Sequence, residues 1–208
     1  MPKVVDHEAR RTEIAEATWI ALQEIAIERL RLRDIADEVG FTTGVFAHYF
    51  RDKSSVLRYA FSLAYQRATE EIERANATES SSLARLKNTL VALVPDKKRP
   101  ETVAFVSLCF GIRSVRDPLL TADYKKKRKD YARLVKSCLI DALDDEEIVS
   151  RQPLDEILDL IFATLDGVCV TALLNPDAYS KKRGARILET MISRLARSDE
   201  AHFATRRA

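Results

Sequence analysis

Five glycines and six prolines are all the backbone punctuation in a chain of 208 residues. Strand reversals draw on glycine, proline and short polar side chains at tight turns, so a chain this poor in them favours long helices with few connections. The apolar spacing agrees. Within residues 6–26, Ile14, Ala17, Thr18, Ala21, Leu22 and Ile25 recur at intervals of three and four, which lays them on one helical face. Trp19 lies off that stripe and is expected to pack against another part of the chain. The same periodicity predicts helices at about 31–39, 43–49, 53–76, 82–94, 101–116, 118–143, 153–174 and 181–197, about nine in all. Gly40, residues 76–82, 96–100 and 144–153, and the pairs Asp117-Pro118 and Asn175-Pro176 separate them. No stretch alternates strictly enough for a strand. The expected fold is all-α, with a small three-helix unit at residues 1–53 leading into a larger helical body at residues 54–208.

Composition narrows the functional classes. Apolar residues make up 46% and charged residues 32% of the chain, which is folded-protein rather than disordered-chain composition. The N-terminal MPKVVDHEARR has no apolar run of the signal-peptide kind. The most apolar stretch, residues 157–174, carries Asp159 and Asp166 and reads as a buried helix rather than a membrane span. Cys109, Cys138 and Cys169 have no metal-binding spacing and fit small buried residues in a reduced, cytoplasmic compartment. His7, His48 and His202 are scattered, and no nucleophile–base grouping, metal set or phosphate loop is evident, so neither an enzyme nor a cofactor is expected. The net charge of +2 says nothing about partners. Residues 1–53 even carry 8 Lys and Arg against 10 Asp and Glu, so a nucleic-acid reading has to rest on where the cations sit.

Their placement is informative. Two short helices at 31–39 and 43–49, joined across Gly40, make a helix-turn-helix. Thr42 or Thr43 is placed to cap the second of them, and Asp52 the long helix that follows. Arg31 and Arg33 fall at the start of the first helix and Lys53 at the start of the long one, where cations oppose the helix dipole unless an external anion sits there. Arg10, Arg11 and Arg51 are placed to reach the same side. With Phe46 and Phe50 as buried anchors, and Val45 and Tyr49 partly so, Thr43, Gly44, Ala47 and His48 point outward. That small, polar face suits a helix lying in a major groove. Tyr49 is placed to donate its hydroxyl to a phosphate while its ring packs inward.

These residues resemble a family. Arg33-Asp34-Ile35-Ala36, Val39-Gly40-Phe41-Thr42, Gly44, Phe46, His48-Tyr49-Phe50, Lys53 and Leu57 are similar to the N-terminal signature of TetR-family regulators. The run His48-Tyr49-Phe50-Arg51-Asp52-Lys53 is close to the HYFxDK form of the BetI-like branch. Pro100, Phe105, Asp117-Pro118, the basic helix after it, and Leu165-Asp166-Gly167 ahead of Pro176 resemble that branch's C-terminal domain. The resemblance implies a homodimer on a palindromic double-stranded DNA operator and repression relieved by a small molecule held in the C-terminal domain. By position it implies DNA contacts from Thr42, Thr43, Gly44, His48, Tyr49 and Lys53. The chain departs from the pattern at Ala47, where many members have a phosphate-contacting tyrosine. It departs again at Ala26, Leu30 and Arg31, where Gly and Thr are usual. At Val103 it lacks an aromatic of the BetI-like branch, which weakens any inference to a choline-like effector.

A dimer places two recognition helices about 34–36 Å apart, in successive major grooves. Helices 118–143 and 153–174 are expected to supply its surface through apolar positions such as Leu134, Cys138, Ile157, Ile161, Leu165 and Val168. Phe105, Cys109, Phe110, Phe162, Asp166 and Cys169 are candidate linings of an effector pocket. The long helix 53–76 is the natural lever between the two functions. The strongest charge run, residues 125–129 (KKKRK), reads as a solvated helix face. The rival to the regulator is a helical interaction or scaffold protein without specific DNA binding.

Overall fold

A computed structural model describes residues 6–96, 103–114 and 117–197. Pro100, the tail 198–208, and the side chains of Thr43 and Val103 lie outside the described set. Among the described residues the chain forms nine helices and no strand: α1 (His7–Glu24), α2 (Leu32–Glu38), α3 (Thr43–Ala47), α4 (Lys53–Asn76), α5 (Ser82–Val91), α6 (Val103–Ser114), α7 (Pro118–Asp144), α8 (Leu154–Leu174) and α9 (Lys181–Arg197). The all-α expectation holds, and the ends of α1, α3 and α5 fall two or three residues short of the periodic pattern.

The chain divides into two compact units, but not at the boundary after Lys53. One unit is Met1–Arg67 with Arg99–Lys127; the other is Ala68–Lys98 with Arg128–Ala208. The physical reason lies on α4 and α6. Phe61 is fully buried and stacks on Phe110 with ring centroids 5.0 Å apart, and Tyr124 of α7 lies 6.0 Å from Phe61 on a nearly parallel plane. Aromatic pairs of this kind add ~0.5–1.5 kcal/mol to the area they bury. The first unit is thus α1, α2, α3, the first turns of α4, α6 and the first turns of α7. Its core joins Ile14, Leu30, Ile35, Phe46, Phe50 and Leu57 to Val106 and Leu120. Trp19 is buried as expected, with the Arg67 guanidinium over its ring at 5.2 Å.

The second unit is built from the rest of α4 and α7 with α5, α8 and α9. α9 packs against both α5 and α8. Its core includes Leu86, Leu90, Val135, Leu139, Ile161, Leu165, Leu188 and Ile192. A polar seam runs through it. Tyr131 donates its hydroxyl to the Thr89 carbonyl at 2.6 Å, and the Asn76 amide donates to the Thr89 hydroxyl at 3.2 Å. Glu147 closes the start of α5, accepting from the Leu83 N–H at 2.5 Å and the Ser81 hydroxyl at 3.0 Å. α8 is long and apolar enough to cross a membrane by length and composition alone. Here its inward face, Ile157, Leu158, Ile161, Leu165, Val168 and Ala172, is buried in the unit, while Asp159 and Asp166 are exposed.

α9 approaches its neighbours through Gly184, where a β-carbon would lie 2.7 Å from a methyl of Val94 and 2.8 Å from a methyl of Val168. Both valines are buried and β-branched, so neither methyl can swing aside. Gly184→Ala is therefore expected to destabilise the fold by ~1–3 kcal/mol through overpacking, against the better helix propensity of alanine. A lower denaturant midpoint at unchanged slope is the expected reading.

Candidate nucleic-acid interface

The helix-turn-helix is set by local chemistry at each of its ends. Asp34 accepts the Arg31 backbone N–H at 2.8 Å, which fixes the entry to α2. At the exit Gly40 takes φ +68°. The Phe41 N–H then reaches the Ala36 carbonyl at 2.8 Å and the Gly40 N–H the Asp37 carbonyl at 3.2 Å, a Schellman ending that only a left-handed residue completes. Thr42 caps α3 by accepting the Val45 N–H at 3.3 Å. Asp52 accepts the Ser55 N–H at 2.7 Å, and its own N–H is returned to the Ser55 hydroxyl at 3.2 Å, so α4 starts on a reciprocal box.

α3 is five residues long and is held from outside itself. Phe46 and Phe50 are buried, 2% and 3% exposed, with centroids 6.0 Å apart. Gly44, Ala47 and His48 are exposed, as the spacing predicts. Val45 is 41% exposed and joins that face, although the sequence pattern had it partly buried. The helix is too short to bring a neighbour over that flank. A valine there adds an apolar group suited to a thymine methyl. No Cβ is missed at Gly44 for want of space, since the nearest atom, the Thr42 hydroxyl, would be 3.9 Å away. Tyr49 is half-buried between the rings of His7 and Phe41, at 5.7 and 6.5 Å. Its hydroxyl makes no hydrogen bond among the described residues.

The cations sit differently from the expectation. Arg31 is the N-cap of α2, and its guanidinium meets the Asp34 carboxylate through two bonds of 3.2 and 2.9 Å. This pairing raises the Arg31 pKa. The Arg31 side chain, then the Arg31 backbone N–H, hold Asp34 below the usual carboxylate range. Arg33 lies 3.9 Å from Asp37 with both side chains exposed. Lys53 donates to the carbonyls of Ile27 and Glu28 at 2.5 and 3.4 Å, tying α4 to the connection between α1 and α2. Arg10 pairs with Glu13 at 2.6 Å, which raises its pKa, and lies 5.5 Å over the Phe41 ring. An external anion is therefore not needed to explain cations at these helix starts: neighbouring carboxylates and carbonyls already answer the charge. The Ser55 N–H, ahead of Arg51, lowers the Asp52 pKa.

The candidate pocket residues divide between the units. Phe105, Cys109 and Phe110 are on α6 in the first; Phe105 and Cys109 border the core and Phe110 lies inside it. Phe162, Asp166 and Cys169 are on α8 in the second. There Arg128 stacks over the Phe162 ring at 4.7 Å and binds both Asp166 oxygens at 3.1 and 2.6 Å. Burial, and then Glu28, pushes the Cys109 thiol up to about 11; burial, and then Asp166, pushes the Cys169 thiol up to about 12.

Asp34 and Asp52 make a pH prediction with a definite sign. Their folded pKa values lie below the unfolded ones, so their contribution to stability is complete above ~3.9 and is lost as pH falls through the lowered values. Asp34→Asn, which keeps an acceptor for the Arg31 N–H, is expected to flatten the acid limb of the stability profile from pH ~4 downward without changing its neutral plateau shape.

The family described as BetI-type transcriptional repressor, C-terminal, matches residues 82–197, more than half of the chain. The HTH-type transcriptional regulator PksA of Bacillus subtilis is 28% identical over 193 residues, covering 90% of both chains. The HTH-type transcriptional regulator BetI of Escherichia coli is 27% identical over 183 residues, covering 87% of this chain and 91% of the relative. In fold, a transcriptional regulator from Saccharomonospora viridis, solved in complex with choline, superposes with a TM-score of 0.78 at 20% identity, over 89% of this chain and 96% of that one. With a helix-turn-helix in its first unit and a BetI-type domain matched over more than half its length, the chain belongs to the TetR family of transcriptional regulators, in its BetI-like branch.

Proposed function

We propose that this protein represses transcription by binding a palindromic operator as a homodimer in the cytoplasm and leaves it when a small molecule binds the helical body. The observation that carries the DNA reading is the outer face of α3. Gly44, Val45, Ala47 and His48 are exposed on a helix whose aromatic anchors are buried, and its N-cap threonine, Thr42, is exposed beside them. Small groups let the helix backbone approach base edges closely. Thr42, Thr43, Gly44, Ala47, His48 and Tyr49 supply the contacts in this reading, with the exposed Arg33 and Arg10 at the phosphates. Arg31 and Lys53 support the reading less through phosphate than through the structure they hold. Three free cysteines fit a reducing compartment.

The dimer surface in this proposal is α8 with α9. The apolar positions expected to form it, Cys138, Ile157, Ile161, Leu165 and Val168, are instead core residues of the second unit. The opposite face of α8 carries Leu160, Ala163, Gly167, Val170 and Leu174, all exposed at spacings of three and four. Leu160 also borders a groove of about 480 Å³ with Ile187 and Met191 of α9. An apolar stripe of this regularity suits a four-helix bundle with a second copy across a two-fold axis. The effector is a small molecule of the helical body. The choline seen in the Saccharomonospora relative is not carried over here, since Val103 stands where that branch is expected to have an aromatic and weakens the inference to a choline-like effector.

Operator affinity is expected to fall linearly in log–log form with salt. Absence of any specific complex at any salt would instead favour the interaction protein. Lys53→Ala is expected to lower both thermal stability, by ~1–2 kcal/mol for a lost charge-assisted bond, and affinity for all DNA alike. Unchanged stability would show that the carbonyl tie does not matter. Leu160→Glu is expected to give a folded monomer by sedimentation with operator binding lost. A dimer retained by that variant would overturn the α8 interface.

A further inference from the structure

Two lysines of the KKKRK run of α7, Lys126 and Lys127, line a cleft. Within the first unit, α1, α4 and the start of α7 enclose a cleft of about 420 Å³. Asp123, Lys126 and Lys127 recur at i, i+3 and i+4 on α7, and Ser55, Arg58, Tyr59 and Ser62 at similar spacing on α4, so each helix turns one face to the cleft. Arg11 of α1 completes it. The charged lining is four cations, Arg11, Arg58, Lys126 and Lys127, against the single carboxylate of Asp123, a balance of 4 − 1 = +3.

Only one of those cations is answered by a carboxylate. Arg58 pairs with Asp123 at 2.5 Å. Arg11 lies over the rings of Phe50 and Tyr59, at 5.0 and 4.7 Å, and its Nε is buried with no hydrogen-bond partner. Lys126, Lys127 and Ser62 have no partner among the described residues. Tyr59 is already engaged, donating to Glu8 at 2.6 Å, and so acts as wall. A concave site lined by three cations without a carboxylate partner among the described residues, a hydroxyl and an aromatic wall suits an anion.

We propose that this cleft binds a small multivalent oxyanion, a polycarboxylate or a polyphosphate, through Lys126, Lys127 and Arg11, with Ser62 donating a hydrogen bond. The cleft's concavity and size favour a small molecule over the backbone of a nucleic acid, which needs an open track of phosphates.

The test is calorimetric titration of the full-length protein with citrate and with pyrophosphate at constant ionic strength. Saturable binding is expected for at least one of them. Lys126→Gln/Lys127→Gln is expected to weaken it by about tenfold or more, the loss of two charge-assisted contacts. Lys125→Gln/Lys129→Gln removes the same charge from the same helix outside the cleft lining, and is expected to leave binding within about twofold. No saturable binding of either anion, or equal weakening in the two double variants, overturns the proposal. Loss of operator affinity in Lys126→Gln/Lys127→Gln with anion binding intact also overturns it, by giving these lysines to DNA. None of these results depends on α8 forming the dimer or on the effector of the helical body.

Discussion

A five-residue helix has no stability of its own in water, because nucleating a turn fixes several dihedrals for a single hydrogen bond. α3 exists because Phe46 and Phe50 are buried in a core shared with α1, α2 and α4. That burial does two things at once. It supplies the free energy the short helix lacks, on the order of 1.5–3 kcal/mol for each aromatic side chain, and it fixes the rotation of the helix about its axis. Gly44, Val45, Ala47 and His48 are therefore presented outward by rigid packing, and the same core extends through Phe61 to Phe110 on α6. The part of the chain that faces DNA in the proposed function is thus continuous with helices that a boundary after Lys53 assigns to the body.

Electrostatics in the first unit is mostly local. Arg31 meets Asp34, Arg33 approaches Asp37, Arg10 meets Glu13, and Lys53 is turned onto two backbone carbonyls. Each such contact is worth little where both partners are exposed, but together they orient the cations and neutralise most of the dipole penalty that cations at helix starts incur. The balance sits in geometry rather than in number.

In the second unit, the logic of α8 is amphipathic in an unusual sense, because both of its faces are apolar. The inward face is satisfied by α9 and the core; the outward stripe of Leu160, Ala163, Gly167, Val170 and Leu174 is exposed among the described residues. A helix with such a composition passes the test for a membrane span, yet exposed Asp159 and Asp166, and the Arg128 clamp on the latter, belong to a water-facing surface. In the proposed dimer the inward face of α8 serves the core of its own unit and the outward stripe the partner copy.

The sequence by itself determined the helical class, most helix starts, the Gly40 turn, the capping residues and the exposure of Gly44, Ala47 and His48 on α3, but not that of Val45. Periodicity, caps and turn residues are local properties, and a helix closes its hydrogen bonds within a few residues. It also carried the family resemblance, through residues clustered between 10 and 57. Only the tertiary structure decided which partners Lys53 and Arg128 take, which face of α8 is core, and where the compact units divide. Those outcomes depend on side chains far apart in the chain, such as Lys53 with Ile27, Phe61 with Phe110, and Arg128 with Asp166. A period of 3.6 residues tells that α8 has apolar stripes, but with apolar residues on two faces it cannot tell which stripe turns inward. That choice is made by the shape of what packs against it.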